Sequence, residues 1–372
     1  MFATFISDFG SGLTISILPV YFLQNGIKEG IGIYNGLDAL GAPIGAIWIM
    51  SFIDRFKKNY IIALADVLRG LALLPLVFSS STSMLGIVSY AILQSIFGAA
   101  TISAVQSWIG ECIEDKKDFK KANSIIETSS QIARTIAPLI GVIILTKYSI
   151  KLVFIIDAAT YFIGSFITIT MKSPKPTIKG NTSFKELKEG FIYCMQNNSI
   201  QRWIVISCLQ FVGLAIMNTV YLSILDDQIS SSDQQIAFFQ TAYFLGALIG
   251  SSHGLFSTKA PIHILRWSSL TLAALMVISI FNKSYWIFFV VGILQRAATL
   301  VSAISTRSLC QQDAHPNFIG RVMAFRWAII NGSGVLLYII TISIFGKISI
   351  PILLTVAACS FVAAGVISRQ ND

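Results

Sequence analysis

Seven charged residues interrupt stretches of this chain that are otherwise apolar. A charge in such surroundings costs several kcal/mol unless it is paired, hydrated or neutralised by a proton. Groups of this kind can carry protons, bind charged solutes or join neighbouring helices. The seven residues are Asp8, Asp38, Asp66, Arg69, Arg134, Asp157 and Arg296.

Two of the seven form a local pair, and two of the arginines have no local partner. Asp66 and Arg69 are three residues apart, a spacing that places both on one face of a helix. We expect them to neutralise each other, mainly as a structural pair. Arg134 and Arg296 have no carboxylate within one turn of their own segments. Each therefore needs a partner on another segment or a hydrated cavity.

The composition indicates which elements position these groups. Hydrophobic residues make up 54% of the chain and charged residues only 12%, whereas about 25% charged residues is typical of a soluble domain. Stretches of about 20 residues with little or no charge recur, and a bilayer favours such segments as helices. The net charge of +9 does not indicate nucleic acid, because Lys and Arg lie mostly in short loops.

Loops that contain charge, Pro, Asn or Ser divide the chain into segments of about 20 residues or more, long enough for a membrane span. We predict an all-α integral membrane protein with twelve transmembrane helices in two six-helix bundles. No Lys or Arg precedes the first segment, so we expect a spanning helix and not a removed signal peptide. The predicted spans are 3–24, 31–53, 59–79, 84–108, 122–146, 151–171, 201–225, 235–257, 262–281, 285–309, 320–345 and 349–368.

The longest polar stretch divides these spans into two sets of six. It begins with Ser173-Pro174-Lys175-Pro176, which cannot remain helical. After Ser183 the pattern predicts an amphipathic helix, which lies either on the inner membrane surface or packed beneath the bundle. The predicted domains are an N-terminal bundle at 1–171, a cytoplasmic linker at 172–200 and a C-terminal bundle at 201–372.

The basic residues indicate the orientation of the spans. Most of the 27 Lys and Arg residues lie in the loops on the side of both termini, which the positive-inside rule places in the cytoplasm. Asp157 then stands near the outer end of the sixth span, where we expect it to reach interfacial water. Arg134 and Arg296 lie about 11–12 residues into their spans, which at about 1.5 Å per residue is near the midplane.

Two interpretations of Arg134 remain open. In the first, Asp8 and Asp38 complete a network with Arg134, and a carboxylate there takes up and releases protons as a cavity opens to each side in turn. In the second, these charges form a permanent salt bridge that only holds the bundle together.

Arg296 can bind an anionic or hydrogen-bonding solute. Gln295 beside it and Gln210 and Asn218 on the seventh span add polar groups. Aromatic walls for such a site are expected from Phe211, Tyr221, Tyr243 and Trp327.

The turn between the second and third spans has the sequence Met50-Ser51-Phe52-Ile53-Asp54-Arg55-Phe56-Lys57-Lys58. An acid at a helix end, followed by cations, can bond to a neighbouring helix and hold an inner gate shut; equally, the cations can simply follow the positive-inside rule. Asp54, Arg55, Lys57 and Lys58 resemble the signature loop of the major facilitator superfamily. Met50 stands where that loop has glycine.

The resemblance extends along nearly the whole chain, and its segments look like those of the branch that contains macrolide-efflux and enterobactin-exporter proteins. On the fifth span, Pro138 and Gly141 match an element that bends this helix in antiporters of the superfamily, although two of its glycines are absent. The other matching segments are Asp66-Val67-Leu68-Arg69, Ala122-Asn123-Ser124, Ser130-Gln131-Ile132-Ala133-Arg134, Asp157-Ala158, Phe184-Lys185-Glu186-Leu187-Lys188-Glu189-Gly190-Phe191 and Gly320-Arg321-Val322.

The resemblance implies a secondary active transporter, in particular a proton-coupled exporter of an amphipathic drug or siderophore in the bacterial cytoplasmic (inner) membrane. It implies efflux by an antiporter, and we expect a monomer. A metabolite importer or facilitator, or a non-transporting scaffold or receptor on the same fold, is the alternative. The candidate gating or structural residues are Asp54, Arg55, Asp66, Arg69, Pro138, Gly141, Asp157, Gly320 and Arg321.

Other classes of function find little support in the sequence. No nucleophile elbow, Gly-rich phosphate loop or separate soluble domain indicates an enzyme. The three histidines and five cysteines lack metal-ligand spacing and a disulfide framework, so we expect neither metal nor cofactor. The expected partners are a small-molecule substrate, the lipid bilayer and protons as the coupling ion, without nucleic acid.

Overall fold

The computed structural model describes residues 2–24, 30–51, 53–78, 84–113, 115–174, 184–231, 233–344 and 348–369. Each predicted span coincides with an α-helix in these ranges, and α7 lies where the amphipathic linker helix is predicted. In chain order the helices are α1 (Phe2–Gln24), α2 (Gly30–Met50), α3 (Lys58–Phe78), α4 (Met84–Cys112), α5 (Phe119–Lys147), α6 (Ile150–Thr170), α7 (Phe184–Gln196), α8 (Asn198–Ser223), α9 (Asp233–Phe256), α10 (Pro261–Phe281), α11 (Tyr285–Asp313), α12 (Ile319–Ile344) and α13 (Ile350–Ile367).

Eight helical ranges among the described residues are long and apolar enough to cross a membrane. Many of their large apolar side chains are exposed, as at Phe166, Trp267 and Phe281, an arrangement that lipid stabilises and water does not. The predicted all-α membrane fold is therefore confirmed. The eight ranges are Lys58–Phe78, Gly86–Cys112, Lys116–Leu145, Ile150–Thr170, Asn198–Asn218, Pro261–Phe281, Tyr285–Asp313 and Ile350–Ile367.

The helices form two compact units. The first comprises Met1–Glu114, Ile132–Gln196 and Ala314–Gly332, and the second comprises Asp115–Gln131, Asn197–Asp313 and Ser333–Asp372. The first turns of α5 thus pack with helices of the second unit, and the first turns of α12 pack with helices of the first. The division into domains at 1–171, 172–200 and 201–372 remains a prediction.

Each unit packs its helices according to the same plan. In the first unit α2 contacts α4, α3 contacts α4 and α6, and α1 contacts α6. In the second unit α9 contacts α11, α10 contacts α11 and α13, and α8 contacts α13. Every helix of the first set thus corresponds to the helix seven places later. Such internal repetition is common in secondary transporters.

Helix α7 packs against the beginning of α12. The ring of Phe191 meets that of Phe325 edge-on, with 5.4 Å between ring centres. The ring of Tyr193 stacks on Phe318 at 4.4 Å. These contacts correspond to the alternative in which the linker helix packs beneath the bundle.

Glycines bring α2 and α4 unusually close together. A Cβ atom at Gly45 would lie only 2.2 Å from the carbonyl oxygen of Ile96, and one at Gly41 would lie 2.7 Å from the Cβ of Ser95. Glycines four residues apart are a common device for close helix packing in membranes. The absence of side chains here lets the two backbones touch.

The same device joins α9 and α11 in the second unit. A Cβ atom at Gly250 would lie 2.2 Å from the carbonyl oxygen of Ala297, and one at Gly246 would lie 2.3 Å from that of Ile293. A Cβ atom at Gly41 would also lie 3.1 Å from the carbonyl oxygen of Ile92, so the carbonyl groups that meet the glycines are four residues apart in both α4 and α11. The repeated packing plan therefore extends to individual residues.

We predict that Gly45→Ala and Gly250→Ala lower the thermal stability of the purified protein, because the new methyl group overlaps backbone and overpacking costs about 1–3 kcal/mol. Gly332→Ala is the matched control, since a Cβ atom there meets nothing within 4 Å. Fluorescence-detected unfolding in detergent measures all three. Equal melting temperatures for the three variants would contradict this account of the packing.

Candidate functional site

The interior of the first unit contains an ion pair on α3. Nη1 of Arg69 lies 3.3 Å from Oδ1 of Asp66, and both residues are buried. Ser7 of α1 donates a hydrogen bond of 3.3 Å to the other oxygen of Asp66. The helical spacing therefore produces the contact that it predicts, and α1 completes it. The mainly structural role of this pair remains a prediction.

Three helices surround the guanidinium of Arg69. Its Nε donates to Oε1 of Gln94 on α4 at 3.0 Å, and its centre lies 4.3 Å from the ring centre of Tyr161 on α6. Gln94 donates to the hydroxyl of Tyr161 at 2.5 Å, and that hydroxyl lies 2.6 Å from Oγ of Ser11 on α1. The cation is thus enclosed by neutral polar groups.

Asp157 lies one turn before Tyr161 on α6 and is fully buried. Thr14 of α1 donates to its Oδ2 at 2.5 Å, and the hydroxyl of Tyr90 on α4 lies 3.5 Å from the same oxygen. Its Oδ1 has no hydrogen-bond partner among the described residues. The expectation that Asp157 reaches interfacial water is wrong. Helix α6 begins two turns earlier, at Ile150, and α1 and α4 contribute the groups that cover the carboxyl.

These contacts form one buried network with two carboxylates and a single guanidinium among the residues that the structure describes. No described Lys or Arg lies within ion-pair distance of Asp157. Several members of the network were not identified from the sequence. The available signal was their spacing, which is four and three residues on α1 and four residues on α4 and on α6. Polar residues at such spacing share one face of a helix. The buried network consists of Ser7, Ser11, Thr14, Asp66, Arg69, Tyr90, Gln94, Asp157 and Tyr161.

At corresponding positions the second unit has no counterpart of the charged residues of this network. Counted from the first residue of each helix, Asp66 and Arg69 of α3 correspond to Ser269 and Leu272 of α10. On α6 and α13, Asp157 corresponds to Ala357, and Tyr161 corresponds to Phe361. All of these residues are buried. The packing plan therefore does not require acidic or basic side chains at these places.

Asp8 and Arg134 form a second ion pair in the first unit. Nη2 of Arg134 lies 3.6 Å from Oδ1 of Asp8, and the two side chains are 49% and 18% exposed. Asp38 lies outside this pair: it is exposed, and its backbone carbonyl accepts a hydrogen bond from Ser95 of α4. The structure thus brings together two of the three residues of the hypothetical network.

Pro138 and Gly141 lie inside α5, which is continuous from Phe119 to Lys147. A Cβ atom at Gly141 would lie 3.1 Å from Cγ1 of Ile17 on α1. One turn earlier, Ala137 lies against Gly12 of α1, where a Cβ atom would come within 2.8 Å of the alanine methyl group. Small residues therefore let α1 and α5 pack closely, whereas bending at Pro138 remains a prediction.

The turn between α2 and α3 is tied to the beginning of α12. Nε of Arg321 donates to Oδ2 of Asp54 at 2.7 Å, and both side chains are buried. A Cβ atom at Gly320 would lie 2.7 Å from Oδ1 of Asp54, so only glycine allows this approach. Burial raises the pKa of Asp54 above the ordinary aspartate value, although the charges of Arg321 and Lys58 oppose the shift.

A neighbouring ion pair was missed in the sequence. Lys58 is buried, and its ammonium group lies 2.8 Å from Oε1 of Glu111 at the end of α4. It also donates to the carbonyl oxygen of Ile53 at 2.5 Å. Arg55 remains half-buried at the turn. The sequence signal for this ion pair was Glu111, an acidic residue at the end of the fourth helix.

The beginning of α5 makes the corresponding contact in the second unit. Lys120 donates to the carbonyl oxygens of Ser257 and Lys259, just after α9, at 2.6 and 2.7 Å. Further along α5, Glu127 lies 3.4 Å from Nη1 of Arg307 on α11. The sequence had not singled out these residues as a set.

A cavity of about 480 Å³ opens in the second unit beside Arg296. The guanidinium centre lies 5.2 Å from the ring centre of Tyr243, whose hydroxyl lies 3.5 Å from Oδ1 of Asn218. Three residues named from the sequence, Asn218, Tyr221 and Tyr243, line it with Arg296. The further lining residues are Met217, Phe239 and Phe244.

The other polar and aromatic candidates near Arg296 are engaged elsewhere. Gln295 donates to Ser279 at 3.3 Å, and Gln210 donates to Ser302 at 2.7 Å. Phe211 lies against Gly334. Trp327 packs with a small apolar cluster in the first unit. The sequence thus identified the cation of the cavity but only part of its wall.

Comparison with known proteins places this helical fold in a class. A human organic anion transporter, MFSD10, superimposes with a TM-score of 0.86 at 10% identity over 99% of this chain and 97% of that chain. A bacterial homologue of the iron transporter ferroportin, in an outward-facing state, gives 0.83 at 13% identity over 99% and 96%. The Escherichia coli fucose:proton symporter FucP gives 0.80 at 16% identity over 99% and 96%. The chain therefore shares the helical fold of these three proteins.

The sequence profile of the Major Facilitator Superfamily matches residues 1–338, and the chain belongs to this family. It is a membrane-embedded transporter of a small molecule. A search of curated protein sequences found no match. The specific relationship to macrolide and enterobactin exporters remains a prediction.

We predict that Asp54→Asn destabilises the protein, because the guanidinium of Arg321 then stays buried without its counter-charge, at a cost of about 3–5 kcal/mol. Asp118→Asn removes the same charge from an exposed residue and serves as the control. The double variant Asp54→Asn/Arg321→Gln should lose less stability than the two single losses combined. Thermal unfolding in detergent measures these differences. An Asp54→Asn protein as stable as Asp118→Asn would show that the buried pair does not stabilise the fold.

Proposed function

We propose that this transporter is a proton-coupled exporter of an amphipathic small molecule. It works as a monomeric antiporter in the bacterial cytoplasmic membrane, with both termini in the cytoplasm. One observation carries the proposal: a single buried network holds two carboxylates, Asp66 and Asp157, and one guanidinium, that of Arg69, among the described residues. Such a group can change its charge by one proton when water reaches it.

Asp157 is the carboxyl to which we assign the proton. Asp66 has an ion-pair partner in Arg69, whereas the described groups that bond to Asp157 are the neutral hydroxyls of Thr14 and Tyr90. An unpaired charge in the interior is unfavourable, so this carboxyl keeps its proton while the site is closed to water. Access to water from one side then permits its release.

Arg69 offers a route from protonation to helix movement. Its charge acts on both Asp66 and Asp157. A guanidinium that shifts from one carboxylate to the other alters the packing of α3 against α6. The other titratable groups around Asp157 and Arg69 are Asp8, Tyr34, Asp38, Tyr90 and Tyr161.

The corresponding positions of the second unit support a transport role for the network. There the same packing plan is built with Ser269, Leu272 and Ala357. Replacement of buried ionic groups by apolar ones is often neutral or stabilising. Charges that the packing does not need are therefore best explained by function.

The proposed cargo and the proposed direction of transport are supported by other features of the chain. The aromatic lining of the Arg296 cavity favours a molecule with an apolar body. Export rests on the sequence resemblance to efflux proteins, because a shared fold does not fix direction or cargo. The proteins of similar fold are described as an organic anion transporter, a homologue of an iron transporter and a symporter of fucose with protons.

The contact between Asp54 and Arg321 suits a gate that opens once in each cycle. It joins two segments far apart in the chain through one buried ion pair. Such a pair is stable while the gate is closed. Both charges must leave the buried site together, because either charge left there without its partner is unfavourable. We assign Gly320 and Lys58 to the same gate as supporting residues.

We predict that cells expressing the protein accumulate less of at least one fluorescent probe than cells with an empty vector. The probes are rhodamine 6G, Nile red and fluorescein released from its diacetate, which are cationic, neutral and anionic. An uncoupler should abolish the difference, because the proton gradient drives export. In the same assay Asp157→Asn should abolish export, whereas Asp8→Asn and Asp38→Asn should retain it. Asp157→Glu, which keeps a carboxyl group, is the matched control and should retain part of the activity.

Different failures of this assay have different meanings. A difference that survives the uncoupler would contradict proton antiport, and higher accumulation in expressing cells would favour an importer. Full export by Asp157→Asn, with loss in Asp8→Asn and Asp38→Asn, would move the proton site to the pair of Asp8 and Arg134.

A further inference from the structure

We propose that the Arg296 cavity is the substrate site and that it takes an amphipathic monoanion, a molecule with a flat aromatic body and one carboxylate or sulfonate group. This inference rests on the proposed function in that it names the class of cargo. The cation supplies the charge recognition, and a wall of stacked rings supplies the surface for the body.

The charge of Arg296 is not balanced by its described surroundings. None of the residues that line the cavity is acidic. Its Nε is buried without a hydrogen-bond partner in the described part of the chain. By contrast, Arg307 on the same helix faces Glu127. The guanidinium of Arg296 can therefore donate to an acidic group that enters the cavity.

The packing plan does not require an arginine at this place. Helix α11 meets the glycines of α9 through Ala297, as α4 meets the glycines of α2 through Ile96. Arg296 therefore corresponds to Ser95, which bonds to a backbone carbonyl of α2. A long cation stands in the second unit where a small hydroxyl suffices for packing in the first.

The wall beside Arg296 consists of nearly parallel aromatic rings. Phe239 stacks with Tyr221 at 5.9 Å and with Tyr243 at 6.1 Å, with interplanar angles of 20° and 22°. Phe288 supports Phe239 from behind at 5.2 Å. Rings fixed in this way offer a flat apolar surface at low entropic cost, on which another aromatic ring can stack.

The size and polarity of the cavity also favour a small molecule with one anionic group. Its volume of about 480 Å³ falls within the range of roughly 300–1,000 Å³ that is usual for sites that hold a single small ligand. The hydroxyl of Tyr243 and the amide of Asn218 add neutral hydrogen-bonding groups at the wall. A cation would meet the like charge of Arg296, and a second anionic group would find no second cation among the lining residues.

Three probes with one aromatic body test the charge preference directly. Naphthalene-2-sulfonate, naphthalene-2-sulfonamide and trimethyl(naphthalen-2-ylmethyl)ammonium are an anion, a neutral molecule and a cation. Titration calorimetry with the full-length protein in lipid nanodiscs should show the sulfonate binding at least about tenfold more tightly than the sulfonamide, as one charged hydrogen bond implies. The ammonium compound should bind most weakly.

Variants then assign the preference to Arg296. Arg296→Gln should weaken sulfonate binding by about tenfold or more and leave sulfonamide binding nearly unchanged. Arg296→Lys should retain the order of the three probes. Lys283→Gln removes one positive charge from an exposed residue of the same unit and should change nothing. Size-exclusion profiles show which variants fold. If Arg296→Gln does not fold, the order of the three binding affinities of the wild-type protein tests the proposal.

The possible outcomes separate this inference from the proposed function. Tightest binding of the ammonium compound, or unchanged sulfonate binding by folded Arg296→Gln, would overturn the anion site even if proton-driven export of another probe were seen. Sulfonate binding that depends on Arg296 would support the site even if a pH gradient failed to drive any probe across the membrane, a result that would overturn only proton coupling.

Discussion

The rest of the structure depends on how the first unit accommodates buried charge. Asp66, Arg69 and Asp157 lie where neither lipid nor apolar side chains can solvate them, and each unpaired charge there would cost several kcal/mol. Polar side chains of α1, α4 and α6 meet this cost only while these helices hold their positions. The buried network therefore depends on the packing of the unit and, once satisfied, specifies it.

The two units share a packing plan and differ in chemistry. Close contacts through paired glycines set α2 against α4 and α9 against α11 in the same manner. The first unit adds an acidic network to this plan, and the second adds Arg296 and an aromatic wall. Under the two proposals above, the proton and the cargo are bound in different units.

Much of the fold could be predicted from the sequence, because spans of apolar residues and the pairing of Asp66 with Arg69 are local patterns. The Asp54 turn was found in the same way, but its partner Arg321 lies 267 residues away. Asp157 was misplaced because position along a helix does not reveal which neighbours cover it. The wall around Arg296 was only partly identified, since aromatic residues are common and only the tertiary contacts distinguish Phe239 from Phe211.

The central claim is that one carboxyl of the buried network, Asp157, exchanges a proton. Infrared difference spectroscopy of the protein in nanodiscs, titrated across the neutral range, tests it most directly through the stretching band of a protonated carboxyl group. We expect a band that titrates in the wild-type protein and in Asp66→Asn but is absent from Asp157→Asn. A titrating band that persists unchanged in Asp157→Asn, or its absence from the wild-type protein, would contradict the claim.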